Sequence, residues 1–271
     1  MPVKSLLTFL IFGDVVGRPG RTALSKIVPQ LREELNPTLV IANAENLAHG
    51  TGVTRKSLVE CQQAGIDFFT SGNHIFRRKE TTELLTERDS VLIRPANYPP
   101  STPGQGAKLL TLGTKKVLII NLNGRVFLNE DFDCPFRKLD EILKTYESEK
   151  PNAILVDFHT EATSETVAFG WYTDSRVSLV FGTHTHVPTA DQRILPGGTG
   201  YITDVGMVGV RDSVLGVDKD VIIRRFLTQQ PFSHDIPESG IVQVNAILVT
   251  VNPKTMKTES IERLDREVSV E

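Results

Sequence analysis

The sequence predicts an α/β protein built as a sandwich of two mixed β-sheets, and three observations predict it. Short, continuous apolar runs alternate with segments of helical period, the pattern of strands buried on both faces and joined by helices. Hairpin signals gather toward the carboxyl end, where Ile241 to Val251 and Met256 to Ile261 flank Asn252-Pro253-Lys254-Thr255. No repeat, low-complexity tract or linker divides the chain, so its 271 residues read as one domain, 1–271, long enough to bury a substantial core.

In chain order, Leu6 to Phe12 is a buried strand that delivers Asp14 at its end. Arg18-Pro19-Gly20 opens a helix with Leu24, Ile27, Val28, Leu31 and Leu35 on one stripe; Pro29 should kink it and Asn36-Pro37 stops it. Thr38 to Ala44 is a second strand and delivers Glu45 and Asn46. Thr54 caps a helix that ends at Gly65, and the short strand Asp67 to Thr70 leads into Ser71-Gly72-Asn73-His74. A helix over Lys79 to Glu87 precedes the turn-rich segment Arg94 to Gly106, long enough to be an interface loop or a pocket lid. Lys108 to Leu112 and Lys116 to Asn121 form a hairpin, and Pro135 starts a helix striped by Phe136, Leu139, Leu143 and Tyr146. The strand Ala153 to Phe158 delivers His159, Glu161 to Gly170 is helical, and Val177 to Phe181 delivers His184 and His186. If that last strand continues, the two histidines alternate back onto one face and share a site. Ile194 to Ile202 gives two strand ends around a glycine turn; without a following Lys-Ser/Thr it is no P-loop.

Composition narrows the function. A net charge of −3 and a pI near 6.1 leave no basic field, so no stable nucleic-acid complex is expected. Cys61 and Cys134 form neither a disulfide framework nor a zinc knuckle, which fits the reducing cytoplasm. The apolar run from Lys4 to Phe12 enters Gly13-Asp14 without a small-residue cleavage site and reads as a strand rather than a signal peptide. Nothing else approaches membrane-spanning length.

Five strand ends thus carry residues able to bind metal: Asp14, Glu45-Asn46, Asn73-His74, His159, and His184 with His186. Ligands of open α/β sheets bind outside the carboxyl ends of strands, so these ends point to one crevice. Each residue alone has a structural use, as a turn former, a helix cap or a satisfied core histidine, but such uses do not account for all five together. The candidates exceed one tetrahedral zinc and suit two metals sharing a bridging carboxylate. Oxygen and imidazole without thiolate admit iron, manganese or zinc. Paired metals generate a hydroxide and clamp a phosphoryl group, so phosphoester hydrolysis is the leading chemistry.

Phe12-Gly13-Asp14-Val15-Val16-Gly17, Asn43-Ala44-Glu45-Asn46, Ser71-Gly72-Asn73-His74, Arg94-Pro95-Ala96-Asn97-Tyr98-Pro99, Asp157-Phe158-His159-Thr160-Glu161-Ala162, Gly182-Thr183-His184-Thr185-His186-Val187-Pro188 and Ile202-Thr203-Asp204-Val205-Gly206-Met207 occur in this order. Together they resemble the YmdB-type branch of the calcineurin-like metallophosphoesterases. The resemblance implies a four-layer αββα sandwich, two mixed sheets flanked by helices, and hydrolysis of small cyclic nucleotides of the 2′,3′-cyclic AMP type. It implies two metal ions, iron or manganese, and a homo-oligomer. Carried over by position, Asp14, Asn46 and His186 correspond to ligands of one metal, Asn73, His159 and His184 to those of the other, Glu45 to the bridge, and His74 to the general acid. A second use for His74 is to orient a ligand. Val16, Ala44-Glu45 and Ile75 stand where most calcineurin-like enzymes carry histidine, Gly-Asp and an acid; these departures point to the YmdB-type branch.

Arg77 and Arg78 are placed to meet a phosphate or to remain solvated, and Thr160, Thr163 and Ser164 to bond substrate or to cap a helix. His49 and His234 receive no role. Two rival readings are a phosphomonoesterase acting on nucleotides or phosphoproteins, and a regulatory protein that binds a nucleotide or an RNA end.

Overall fold

The computed structural model describes residues 6–231, 233 and 235–271; Lys4 and Ser5 of the first apolar run, and His234, lie outside them. The first strand, β1 (Leu7–Val15), runs past the expected end, so Asp14 lies within it. Helix α1 (Gly17–Leu35) continues through Pro29 and stops at Asn36, whose left-handed backbone (φ 44°) closes it. Strand β2 (Leu39–Asn43) is followed by α2 (Arg55–Ala64), where Thr54 and Ser57 cap each other reciprocally and Gly65 ends the helix at φ 105°. Strand β3 (Phe68–Thr70) and helix α3 (Glu80–Thr86) complete this half.

The second half opens with the hairpin β4 (Ala107–Leu112) and β5 (Lys115–Asn123), then α4 (Pro135–Tyr146), β6 (Ala153–His159), α5 (Thr163–Thr173) and β7 (Leu179–Thr183). The glycine turn carries β8 (Arg193–Ile194) and β9 (Gly200–Ile202). Two strands and one α-helix escaped the sequence: β10 (Met207–Val210), α6 (Lys219–Thr228) and a final strand. The run from Ile241 to Val251 is not one strand but two, β11 (Gly240–Val244) and β12 (Ala246–Val251). Strand β12 forms the expected hairpin with β13 (Thr258–Arg263), while β11 pairs with the final strand, β14 (Arg266–Val270). Asn245 makes the break: its carbonyl accepts from Gly13 and its side-chain oxygen from the Met207 amide.

Eight of the described strands form one sheet and six the other. Both are mixed, with β1, β2 and β3 parallel in the first and β5, β6, β7 and β9 parallel in the second. Side-chain alternation sorts the layers. Phe9, Ile11 and Ile41 meet Val117, Ile119, Leu155 and Phe181 between the sheets. Leu10, Phe12 and Val40 face the other way, onto Leu24 and Val28 of α1 and Leu58 of α2. On the far side Leu139 of α4 and Phe169 of α5 cover Leu118, Ile120 and Val156. The result is the four-layer αββα sandwich, each buried Leu, Ile or Phe contributing about 1.5–3 kcal/mol.

One detail of β1 positions the site. Antiparallel β12 flanks β1 as far as Phe12, and beyond it β10 takes that side, paired in parallel at Asp14 and Val15. The exchange brings the Gly206 carbonyl so near that a Cβ on Gly13 would lie 1.8 Å from its oxygen. Only glycine fits there, and the crowding fixes the neighbouring Asp14.

Candidate metal centre

The carboxyl ends of β1, β2 and β3 in one sheet and of β6 and β7 in the other open at the same edge of the sandwich. Asp14, Glu45, Asn46 and His159 are buried there; Asn73, His74, His184 and His186 are half-buried. All eight sequence-predicted residues lie at this edge, and a cavity beside it is lined by Asn46, His74 and His186.

The histidine pair arrives by another route than expected. Strand β7 ends at Thr183, so strand alternation does not align His184 and His186. Both adopt left-handed backbone instead (φ 105° and 62°), a conformation that costs about 1–3 kcal/mol for a non-glycine residue. Asp204 holds the turn, accepting from the Thr185 amide at 2.9 Å and the Thr185 hydroxyl at 2.8 Å. The His184 amide donates to Asp14 Oδ2 at 2.9 Å, which ties the turn to β1.

Each of three imidazoles spends its outer nitrogen on a protein acceptor and turns the other inward. Thr183 donates its one hydroxyl proton to Asp157 Oδ1 (2.6 Å), so its oxygen accepts from His159 Nδ1 (2.9 Å). His186 Nδ1 faces the Leu215 carbonyl at 2.9 Å, and His184 Nε2 faces Glu161 at 3.0 Å. His159 Nε2 then lies 3.2 Å from Glu45 Oε1 and 3.0 Å from His184 Nδ1, while His186 Nε2 is 3.9 Å from Asp14 Oδ1. The ligand atoms of Glu45, His159 and His184 lie within 4.8 Å of one another. Asp14 Oδ1, Asn46 Oδ1 and Asn73 Oδ1 are buried without a hydrogen-bond partner. Asn46 commits its amide to the Gly50 carbonyl at 2.8 Å, which leaves the oxygen over.

Electrostatics make the same point. Burial pushes the Asp14 carboxyl up to about 7, with His159 opposing and Glu45 adding to the rise. Burial also opposes ionisation of Glu45, yet the His159 imidazole beside it holds Glu45 well below the usual carboxylate range. Against its own burial, His159 is raised to about 9, chiefly by Glu45. Burial, then His159, drives His184 down to about 3, and burial lowers His186. Two carboxyls and three imidazoles crowded this deeply form a centre that a cation would relieve. The orphaned oxygens, inward lone pairs and absence of thiolate fit hard or borderline metal ions.

His74 stands apart. Its amide donates to Glu45 Oε2 at 3.1 Å and its Nδ1 lies 3.4 Å from Glu45 Oε1, so its ring meets the bridge candidate from the cavity side. Gly72 makes room for this, since a Cβ there would lie 2.2 Å from both Glu45 Oε2 and His159 Nε2.

Several supporting residues were not singled out from sequence. Asp157 accepts from Thr183, Thr70 and Asn43, all fully buried, and burial raises it to about 6. Its signal was legible: an acid inside an apolar strand, two residues before His159 and hence on the same face. Asn123, in register with His159 across β5 and β6, is buried with both side-chain polar atoms unpartnered. Arg78 holds the carbonyls of Ala48 and Thr51 rather than a ligand, and Arg77 lines the cavity. Helix α5 begins at Thr163, later than expected; the Thr160 hydroxyl meets that of Thr166, and the helix has no side-chain cap. The Arg94 to Gly106 loop is cross-linked by Arg94, which donates to the carbonyls of Pro95, Thr102 and Pro103. Its Tyr98 hydroxyl reaches the Asn73 carbonyl at 3.3 Å, so the loop braces the centre.

A family model described as YmdB-like protein matches residues 10–264. The chain is 45% identical over 258 residues to a 2′,3′-cyclic-nucleotide 2′-phosphodiesterase of Bacillus subtilis (strain 168), covering 95% of this chain and 96% of that one. Among solved structures, a hypothetical protein from Thermus thermophilus superimposes with a TM-score of 0.90 at 39% identity, over 96% of this chain and 99% of the other. A structure described as a novel phosphatase of Mycoplasma pneumoniae gives 0.90 at 34% identity, over 97% and 94%.

Proposed function

The chain belongs to the YmdB-like family, and from that premise we propose that it is a metal-dependent phosphodiesterase acting on 2′,3′-cyclic nucleotides. The observation that carries this reading is the ring of inward acceptors around Glu45: Asp14 Oδ1, Asn46 Oδ1, Asn73 Oδ1 and three imidazole nitrogens. Asp14, Asn46 and His186 would hold one ion and Asn73, His159 and His184 a second, with Glu45 shared. Iron or manganese suits this set, with zinc as the alternative. Bound there, the ions supply an activated water and offset the charge of the phosphoryl oxygens.

The protein's own groups complete the chemistry. Asp157 and Thr183 lock the His159 tautomer, and Leu215 does the same for His186. With Nδ1 of His74 turned toward Glu45, Nε2 is the nitrogen that carries a proton to the departing ribose oxygen. Ring opening suits a cyclic ester, because the leaving oxygen stays tethered to the product. On this reading the chain works as a single domain in the cytoplasm and as a homo-oligomer. None of the described helices is long and apolar enough to cross a membrane, and both cysteines are free.

The test is hydrolysis of 2′,3′-cyclic AMP by protein loaded with manganese or iron, against a chelated control. Metal-dependent release of a nucleoside monophosphate is the expected result. The description of the Mycoplasma structure as a phosphatase favours a monoesterase as the second reading. Phosphate release from monoesters with no turnover of the diester would replace the first reading with it.

A further inference from the structure

The cavity beside His74 and His186 has a volume of about 710 Å³, the size of a small-molecule site. The candidate centre meets it through Asn46, His74 and His186. Six apolar side chains form a wall of the same cavity, Val214, Leu215, Val217, Ile222, Phe226 and Ile236. This wall is built rather than accidental. Val214 and Val217 exchange backbone hydrogen bonds across a turn in which Leu215 and Gly216 are left-handed (φ 55° and 92°). The same turn aims the Leu215 carbonyl at His186 Nδ1, so the wall is anchored to a candidate ligand. Behind it, Asp218 caps α6 by accepting from the amides of Asp220 and Val221. That helix leaves Phe226 77% exposed at the cavity, although large aromatic residues of soluble proteins are usually covered.

Resting on the phosphodiesterase reading, we propose that this cavity is a nucleobase pocket, in which Phe226 and its apolar neighbours receive the base of a nucleotide whose phosphate lies at the candidate centre. Continuity supports this occupant, because Asn46, His74 and His186 of the centre line the same cavity as the wall. A base presents a flat π-face to an aromatic ring and gains from contact without base-edge hydrogen bonds. The six wall side chains carry no donor or acceptor, so they hold purines better than pyrimidines by their larger face, while His49, Thr51 and Arg77 are polar groups elsewhere in the lining.

The experiment compares metal-loaded wild type with Phe226→Ala, using 2′,3′-cyclic AMP and the baseless diester glycerol 1,2-cyclic phosphate. The ratio of kcat/KM on the nucleotide to that on the baseless diester is expected to fall about tenfold, the scale of one base–aromatic contact. Adenosine binding, followed by calorimetry, should weaken similarly. Leu227→Ala, one residue along α6, 80% exposed and outside the cavity lining, should keep the wild-type ratio. An unchanged ratio in Phe226→Ala, or no adenosine binding by wild type, overturns the pocket even if both diesters are hydrolysed. If wild type hydrolyses neither diester, the phosphodiesterase reading falls, while adenosine binding that Phe226→Ala weakens still supports the pocket.

Discussion

The two ends of the cavity are made differently. At the inner end Asp14, Glu45 and His159 are buried, and each is held by further groups: Asp14 by the His184 amide, Glu45 by the Asn43 side chain and the His74 amide, His159 through Thr183 and Asp157. At the outer end Phe226 stands largely exposed and Leu215 about half exposed, both between β10 and β11. The inner end stores the cost of crowding charge and of two left-handed histidines, and the outer end that of the left-handed Leu215 alone. On the proposed reading the difference has a reason, because positions that hold a metal need supporting shells, whereas a surface that meets a base needs only area.

Substitutions at the two ends should therefore fail in different ways. Asn73→Ala and His159→Ala are expected to lose turnover at least as severely as His74→Ala, about 10²–10⁴-fold, and to lose metal as well. Full metal occupancy in both, by elemental analysis, would sink the ligand assignment. His74→Ala should lose turnover by the same factor while keeping its metal and its affinity for nucleotide; surviving turnover would remove His74 as the acid. Asp157→Asn touches no ligand atom directly and should weaken metal affinity about 10–100-fold by loosening His159, with the circular dichroism spectrum unchanged. An affinity equal to wild type would confine Asp157 to packing.

The smallest expected effect is on pH dependence. Asp14, Asp157 and Asp204 have carboxyls raised from 3.8 to about 7, 6 and 7, in each case first by burial. A raised carboxyl stabilises the fold below its unfolded pKa, and that contribution is lost as pH rises through its folded value. Metal-free protein should accordingly lose melting temperature between about pH 4 and 7. A cation favours the ionised form of Asp14, so the gap between loaded and chelated samples should widen over the same range. A constant gap would mean that no proton leaves when metal binds.

Much of this was legible in the chain. The strand ends bearing Asp14, Glu45, Asn73 and His159 could be read because a buried parallel strand is a short apolar run, and the residues just past it lie at the carboxyl edge. The Thr54 cap and the Gly65 stop were equally plain, since capping is written within four residues. Other features were not readable. Alternation predicted a shared face for His184 and His186, but β7 stops at Thr183, and Asp204, nineteen residues beyond Thr185, captures Thr185. The run Ile241 to Val251 gave no hint of splitting at Asn245, where β12 yields its place beside β1 to β10. Helix α6 was missed, its Ile223, Phe226 and Leu227 being exposed rather than packed into a core.

Local pattern was thus enough for the identity of the inner residues, the two-sheet class and the order of most elements. Periodicity, capping and strand-end placement are fixed by backbone geometry over a few residues, so they can be read from the chain alone. It took the folded molecule to choose which nitrogen of each histidine faces inward, to carry His184 and His186 to Asp14 on a left-handed turn, and to line the cavity with an apolar wall that includes Leu215, Phe226 and Ile236. Those outcomes depend on hydrogen bonds and contacts between residues far apart in the chain, and no local pattern encodes such contacts.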